Sequence, residues 1–399
     1  MNSANLTLAA YTHFGARGLK GVGMYHLVNQ TWKRGRLQKV IAVSKNRCQF
    51  EFDLHLVGTF PGGSRLINCL GTIKEKIWEG FPARLISEVI FDHYARLRLS
   101  PQRGFLITTP GMLRTTRKAK ALGYTTVMYG GIPDPRYLFE QIRTEKDALC
   151  LKNVGNERER RCVMARIAAQ VDMSDYIIAI SEFAKETYIK HGFSRDKIYV
   201  AHLGVELEKF RWTVPPQGEG LTYLFVGHVN ETTGPVKGLQ YLLQAWAELN
   251  LGAAKLIVCG KMGEEAQSLV RKYDSRNRNV EFAGAVHDPA EYYQKASVLV
   301  FPSVTEGFGK VVLEAMASGR PVIATPIPRP VIREGVDGFY VQARDVEGLK
   351  QRMLYFYEHP EEVPRMGTNA AEQAKRFSWQ RFSRQVADIV EEISLRERN

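Results

Sequence analysis

The sequence predicts an α/β protein with two domains, each built on a parallel sheet that helices cover on both faces. Three observations support this fold class. Apolar runs typical of buried strands alternate with amphipathic helical segments, most regularly in the second half of the chain. A chain of 399 residues is too long for one compact core. Residues 211–221, which contain paired prolines and no apolar period, separate the two halves as a linker.

The first domain, residues 1–210, opens with a strand, a helix and a second strand. Residues 6–11 (LTLAAY) predict the first buried strand. Residues 13–23 predict a glycine-rich loop that contains Gly21 and Gly23, and the helix is expected to begin only after it. The glycine spacing does not match the GxGxxG pattern of dinucleotide sites, so a plain connecting loop is an equally good interpretation.

Two later segments of the first domain also predict strands, and the first of them is expected to end at the predicted cleft. Residues 125–135 (TTVMYGGIPDP) predict a strand followed by a loop. Residues 176–180 (YIIAI) predict another strand, and Ser181 after it is placed to cap the next helix.

The second domain, residues 222–376, alternates strands and helices throughout, and residues 377–399 predict a closing helix. Strands are predicted over residues 222–226, 254–259, 280–282, 298–301 and 321–324, and helices over residues 239–249, 264–273, 289–295 and 311–317. Ligands of such sheets bind beyond the carboxyl ends of the strands. The candidates that fall directly after a strand, or in the loop that follows one, are Gly227, Lys237, Gly260, Gly284 and Glu306.

Residues 302–319 (PSVTEGFGKVVLEAMASG) are the most informative stretch of the chain. Two glycines lead from an apolar strand into an amphipathic helix, so Glu306 falls in the turn and Glu314 on the helix. Gly307 and Gly309 leave room for a ligand against bare backbone, and the N–H groups at a helix start attract a diphosphate. Because carboxylates only accept hydrogen bonds, the pair suits the hydroxyls of a ribose and a hexose. The string therefore indicates a nucleotide-sugar site.

Residues 302–314 resemble the donor-site signature of the retaining glycosyltransferases of family 4, also called group 1, which have two facing Rossmann-like domains (the GT-B fold). The resemblance is good over about residues 174–385 and weak towards the amino terminus. It implies an interdomain cleft and a closing helix that packs back on the first domain. It also implies transfer of a hexose, with retention, from a nucleoside-diphosphate sugar to a lipid-linked or glycan acceptor, without a metal or other cofactor.

The resemblance assigns a role to each candidate residue. Glu306 and Lys237 form the catalytic pair, the first near the sugar hydroxyls and the second on the diphosphate. Glu314 holds the ribose diol. The remaining donor contacts are backbone or neighbouring groups: Gly227, His228, Val286, Gly307, Phe308, Gly309, Gly21 and Gly23. Breaking the glycosidic bond leaves negative charge on the diphosphate, which placed cations and N–H groups can stabilise without a metal.

The chain departs from the family pattern at three places. One is residues 325–334 (TPIPRPVIRE), a loop expected to border the sugar or base, where the common Gly-Gly turn is missing. His228 stands where the family usually has an arginine, and an imidazole lacks the bidentate fork of a guanidinium. Gly130 and Gly131 occupy the strand end where many members carry a histidine, so no catalytic histidine is assigned. What takes over these two functions stays open, as do the sugar, the base, the acceptor and the oligomeric state.

Positive charge is confined to the first half of the chain. Residues 1–210 hold 32 Lys and Arg against 19 Asp and Glu, whereas residues 211–399 hold 23 of each. This asymmetry favours an anionic membrane surface or nucleic acid as partner. Residues 73–99 and 113–122 mix basic and apolar side chains at helical spacing, which suits a membrane surface, although core-facing helices with a solvated rim give the same pattern.

Composition and targeting signals lead to an expected location in the cytoplasm, with peripheral attachment to the inner membrane face as an option. No apolar run is long enough to span a membrane, and the first ten residues lack a secretory pattern. The five cysteines are scattered without a CxxC pair, which supports neither a disulfide framework nor a zinc site.

Two other functions fit parts of the sequence. A nucleotide-sugar epimerase or a phosphorylase would keep the fold, but the first domain offers no clear set of carboxylates and histidines, and phosphorylases need a lysine-bound pyridoxal cofactor. A nucleic-acid-binding protein would use the basic half, but the interleaved aromatic and basic motifs of RNA-binding modules are missing, so no nucleic-acid partner is expected.

Overall fold

The computed structural model describes residues 5–14, 19–45, 53–77, 81–101, 104–150, 157–216, 220–229, 234–263, 279–286, 288–329 and 331–397. Within these residues the chain forms two parallel sheets, one between residues 5 and 200 and the other between residues 222 and 340. The helix predicted over residues 264–273 lies outside the described residues.

The first sheet has the order β3-β2-β1-β4-β5-β6-β7, and all of its described pairings are parallel. Its strands are β1 (Asn5–Phe14), β2 (Leu37–Lys45), β3 (Val57–Thr59), β4 (Gly104–Thr108), β5 (Tyr124–Gly130), β6 (Tyr176–Ala179) and β7 (Ile198–Val200). Its helices are α1 (Leu19–Lys33), α2 (Gly63–Lys76), α3 (Ala83–Leu97), α4 (Leu113–Ala121), α5 (Pro135–Ala148), α6 (Glu157–Met173) and α7 (Glu182–Lys190). Ser181 caps α7 as predicted, because its hydroxyl accepts a hydrogen bond from the Ala184 N–H.

The second sheet has the order β10-β9-β8-β11-β12-β13 and is also parallel in its described pairings. Its strands are β8 (Thr222–Val226), β9 (Lys255–Cys259), β10 (Val280–Gly284), β11 (Val298–Phe301), β12 (Val322–Ala324) and β13 (Gly338–Tyr340). The helices are α8 (Leu239–Glu248), α9 (Ala290–Lys295), α10 (Lys310–Ala317), α11 (Val346–Glu358), α12 (Glu362–Ala374) and α13 (Trp379–Arg396).

Both faces of each sheet are buried, which explains the near-continuous apolar runs. In β8, Leu224 packs into one hydrophobic cluster while Tyr223 and Phe225 pack into another. Successive side chains of a strand point to opposite faces, so these two clusters lie on the two sides of the sheet. Among the helices that the structure describes, none combines the length and the apolar character needed to cross a membrane.

The last helix, α13, packs on the first domain. The indole ring of Trp379 stacks on the imidazole of His26 in α1, with ring centroids 4.9 Å apart. The Ser383 hydroxyl donates to the His26 carbonyl at 2.6 Å, and Arg34 forms an ion pair with Asp388 at 2.7 Å. Burial lowers the pKa of His26 to about 4, so this contact is made by a neutral imidazole at neutral pH.

A buried carboxylate joins the two domains at another point. Glu145 in α5 has no solvent exposure and accepts hydrogen bonds from three groups of the second domain. The donors are Gln240 Nε2 at 2.9 Å, the Tyr241 hydroxyl at 2.7 Å and Arg344 Nε at 2.6 Å. Because its charge is paired and its oxygens are bonded, Glu145 can stay buried and hold the two domains in contact.

Candidate functional site

The candidate site lies where the strand order of the second sheet reverses. From β8 the chain adds β9 and β10 on one side, and β11 then pairs with β8 on the other side. Such a reversal leaves a crevice beyond the carboxyl ends of the two central strands. Gly227 directly follows β8 and Pro302 directly follows β11, so the predicted residues converge on this crevice.

Two loops at this crevice are fixed to each other through their backbones. The Val304 N–H donates to the Val236 carbonyl at 2.8 Å. Gly238 has φ 74°, and a Cβ on it would stand 2.0 Å from the Pro302 carbonyl oxygen. Only glycine permits both that backbone conformation and that approach. The turn that carries Lys237 is therefore held against the loop that carries Glu306.

Lys237 and Glu306 form an ion pair across these loops, between the lysine Nζ and the carboxylate Oε1. Their side chains are 20% and 25% exposed, so both remain accessible to a ligand in the crevice. Burial lowers the pKa of Lys237 to about 8. The pair thus places a poorly hydrated cation and a hydrogen-bond acceptor at the same point.

The turn formed by residues 306–309 lies between the two domains and packs against the first. The Gly307 carbonyl accepts a hydrogen bond from the Ser181 hydroxyl at 2.6 Å, and a Cβ on Gly307 would lie 2.6 Å from the Gly131 carbonyl oxygen. Gly309 has φ 79° and packs against the ring of Phe301. The glycines of the motif are thus needed for close packing against the first domain and for the bend into α10.

Phe308, between these glycines, is buried with 2% exposure. Its ring centroid lies 6.2 Å from that of His202, in the loop after β7. The side chain therefore anchors the turn to the first domain, and the prediction that Phe308 presents backbone to the donor concerns its peptide groups only.

Glu314 is buried on α10 and is bonded to two protein groups. The Tyr293 hydroxyl donates to Oε2 at 2.9 Å, and Lys310 Nζ lies 3.0 Å from Oε1. Side chains of a helix lean towards its amino-terminal end, so the carboxylate points back towards the Gly309 turn. A carboxylate has about four acceptor positions, so these two contacts leave capacity for a diol, and the ribose assignment remains a prediction.

The neighbouring strand ends carry the remaining candidates of the second domain. A Cβ on Gly260 would lie 1.9 Å from the Gly227 carbonyl oxygen, so the loops after β8 and β9 touch through bare backbone. His228 is exposed, and its Nδ1 accepts a hydrogen bond from the Lys261 N–H at 2.9 Å. The proton of the neutral ring is therefore on Nε2, which makes His228 a single donor at this rim. Val286 is half-buried just beyond β10.

The structure corrects the prediction for Gly21 and Gly23. Both lie within α1, which begins at Leu19 rather than after Gly23, and residues 15–18 of the expected loop are outside the described residues. A Cβ on Gly23 would lie 3.8 Å from the Trp379 ring, so Gly23 faces α13. The glycine content predicted a loop, but burial of apolar side chains farther along α1 outweighs the low helix propensity of glycine.

Sequence reasoning missed Lys310 and Glu145. Lys310 follows Gly309 directly and adds a second cation beside the turn; its spacing of four residues from Glu314 is the signal that was available. Glu145 had no such signal, because its three partners come from distant parts of the chain.

Together the sheets and the crevice define a protein of the GT-B fold. Sucrose-phosphate synthase from Thermosynechococcus elongatus matches with a TM-score of 0.67 and 18% identity, covering 98% of this chain and 100% of that chain. The Anabaena protein HepE, solved in complex with UDP and glucose, matches with a TM-score of 0.62 and 16% identity, covering 97% and 99%. At these identities the likeness defines the fold alone.

Residues 220–359 match the family described as glycosyl transferases group 1. The D-inositol 3-phosphate glycosyltransferase of Streptomyces coelicolor is 31% identical over 254 residues, covering 55% of this chain and 55% of the relative. The chain spans about half the length of the curated relatives it matches.

Proposed function

We propose that this chain is a retaining glycosyltransferase that moves a hexose from a nucleoside-diphosphate sugar to a lipid-linked or glycan acceptor. The observation that carries the proposal is the ion pair of Lys237 and Glu306 at the crevice of the second sheet. The family match of residues 220–359 and the UDP-bound structural neighbour support the donor class.

In this mechanism the diphosphate displaces the Glu306 carboxylate from Lys237. The ammonium group then neutralises the charge that grows on the leaving phosphate, together with N–H groups at the start of α10. Glu306, released from the lysine, accepts hydrogen bonds from the sugar hydroxyls. The acceptor oxygen attacks the anomeric carbon on the face that the phosphate leaves, and the phosphate takes the acceptor proton. These side-chain and backbone charges stabilise the leaving phosphate in place of a metal ion, so we propose that no metal is required.

The donor class can be tested by thermal unfolding with UDP, GDP and ADP sugars. At a ligand concentration one hundred times its dissociation constant, binding stabilises by about 2.7 kcal/mol. The matching sugar nucleotide should therefore raise the Tm by several degrees, and radiolabelled sugar from the same donor should appear in a lipid or glycan product. Free nucleosides and inorganic phosphate serve as controls. Equal Tm values with and without every nucleotide sugar would refute the proposal.

Transfer should weaken as the pH rises above about 8. The pKa of Lys237 is lowered to about 8 by burial, so the unliganded protein loses this positive charge as the pH rises through that value. Because kcat/KM reports groups of the free enzyme, its logarithm should fall with a slope approaching about −1 above pH 8. Lys237→Arg keeps its charge and should lack this fall, even at lower overall activity. A wild-type kcat/KM that stays level between pH 7 and 9.5 would contradict the role of the ammonium group.

We further propose that the first domain attaches to anionic membrane. Arg114, Arg117 and Lys118 are exposed on α4, and the apolar side chains of Ile77 and Leu97 are exposed at the ends of α2 and α3. A domain that exposes both cationic and apolar side chains has the groups with which proteins bind an anionic interface. Trp78, which belongs to the basic and apolar stretch of residues 73–99, lies outside the described residues.

Sedimentation with vesicles tests this attachment. The protein should bind vesicles containing phosphatidylserine at low salt and be released at 0.5 M NaCl, because salt screens exposed charges. Reversing the charge at Arg114, Arg117 and Lys118 should abolish binding, whereas Lys255→Glu in the second domain should leave it unchanged. Equal binding to neutral vesicles, or no binding at low salt, would remove the membrane proposal.

A further inference from the structure

A contact between the two domains leads directly to the turn that carries Lys237. This turn, Pro235–Lys237, is a short 3₁₀ helix just before α8. Val236 at its centre is 1% exposed and shares a hydrophobic cluster with Leu138 and Ile142 of α5, in the first domain. The turn is therefore supported both by the loop after β11 and by α5.

The side-chain amide of Gln240 joins this turn to a carboxylate of the first domain. Gln240 lies in the first turn of α8 and is buried. Its Nε2 donates one hydrogen bond to the Pro235 carbonyl at 2.8 Å and another to Glu145 Oε2 at 2.9 Å. Within the described residues its Oε1 has no hydrogen-bond partner. The two acceptors therefore set the orientation of the amide.

Glu145 can fix this amide because its own position is strongly determined. Its other hydrogen bonds come from the Tyr241 hydroxyl and from Arg344 Nε. Arg344 has φ 70°, a left-handed backbone that side chains disfavour, and its Nη2 donates to Gln141 of α5 at 2.9 Å. Such backbone strain persists where the surrounding contacts hold it. The charged contact between α5 and the second domain is therefore firmly held.

These contacts form a continuous path from the first domain to the cation of the crevice. It runs from Glu145 through the Gln240 amide to the Pro235 carbonyl, two residues before Lys237. The turn has three residues, so a displacement of Pro235 is passed on to Lys237 within one turn of backbone. A shift of about 1 Å in a catalytic group can lower a rate by about 100-fold. The position of Glu145 therefore bears on the chemistry at Lys237.

We propose that Glu145 is a positioning residue for sugar transfer, which acts through Gln240 to hold the turn of Lys237 in place for the diphosphate. The inference rests on the proposed function. Among the described contacts none joins Glu145 to Lys237 directly, so the effect passes through the turn. Because Glu145 belongs to the first domain and Lys237 to the second, the cation is fully positioned only while the two domains are in contact.

The test measures the affinities of UDP, GDP and ADP for the full chain by calorimetry. The diphosphate that binds the wild type most tightly is then used for all variants. Glu145→Gln and Glu145→Leu both lose the ion pair with Arg344, but the glutamine keeps an oxygen that accepts from Gln240. Glu145→Leu should therefore weaken binding by about tenfold or more, whereas Glu145→Gln should stay within about threefold of the wild type.

Two further measurements separate positioning from a merely structural contact. Tyr241→Phe removes a hydrogen bond to the same carboxylate oxygen that does not lead to the Lys237 turn, so the affinity should stay within about threefold of the wild type. In a Lys237→Ala protein, Glu145→Leu should weaken binding no further, because the group through which it acts is gone. A merely structural contact would weaken binding equally with and without the lysine.

Thermal unfolding shows whether each variant is folded at the assay temperature. If Glu145→Leu does not fold, Gln240→Leu breaks the same link inside the second domain and should give the same loss. The positioning role is refuted, while the donor site stands, if a folded link variant binds the diphosphate like the wild type. It is refuted equally if Glu145→Gln loses as much affinity as Glu145→Leu, or if the loss is the same without Lys237. If no nucleoside diphosphate binds to the wild type, the proposed function itself fails.

Discussion

Replacing Lys237 by alanine should lower kcat/KM for sugar transfer by about 100-fold or more while leaving the protein folded. Placed groups that stabilise charge in the transition state are typically worth factors of about 10² to 10³. Lys237 is the cation held against Glu306 at the reversal of the second sheet, and its partly buried position strengthens any contact with a leaving phosphate. Steady-state kinetics with the nucleotide sugar that stabilises the protein measure the effect.

The control for this prediction is Lys255→Ala, which removes an exposed lysine at the start of β9. It should leave both kcat/KM and the Tm unchanged within error. Lys237→Ala leaves Glu306 without its cation, but that carboxylate is 25% exposed and can be hydrated, so the loss of Tm should be small. A Lys237→Ala protein that unfolds normally and retains activity within threefold of the wild type would remove Lys237 from the mechanism.

A double-mutant cycle with Glu306→Ala measures how closely the two residues act together. Each single variant loses one group and also leaves the other without its partner. Because the two side chains are in direct contact, their effects should not add, and the double variant should lose less than the product of the two single losses. Strictly multiplicative losses would indicate that the groups act on the substrate independently.

The strands of the second domain were the part of the fold that could be predicted best from the sequence. Residues 222–226 and 298–301 were predicted as strands and are observed over the same residues. Both are short apolar runs followed directly by a glycine or a proline, and such a run is typical of a strand buried on two faces. Gly104–Thr108 is equally buried but was not predicted, since so short an apolar run between arginine and proline does not distinguish strand from helix.

The site was predictable to the extent that its residues follow strand ends. Lys237 and Glu306 were placed on one rim by that rule, and the structure brings them into contact. Glu145 was not found, because its partners Gln240, Tyr241 and Arg344 come from distant parts of the chain, and no local pattern records such a contact.

The second large effect is expected for Gly238→Ala, which should destabilise the protein by about 2 to 5 kcal/mol. Two costs combine in this variant. A side chain disfavours the left-handed backbone at φ 74°, at about 1 to 2 kcal/mol. Its Cβ would also stand 2.0 Å from the Pro302 carbonyl oxygen, and relieving such an overlap typically costs a further 1 to 3 kcal/mol, roughly. Thermal and urea unfolding measure the sum.

Gly192→Ala is the matched control, because Gly192 has φ 92° but no atom within 4 Å of the added Cβ. It should show only the backbone cost, a loss of about 1 to 2 kcal/mol. Where Gly238→Ala still folds, the overlap must push the Lys237 turn away from the loop of Glu306, so transfer should fall as well, whereas Gly192→Ala should keep full activity. Equal destabilisation by the two variants would mean that the Pro302 contact yields without strain, and that the backbone does not hold the catalytic pair together.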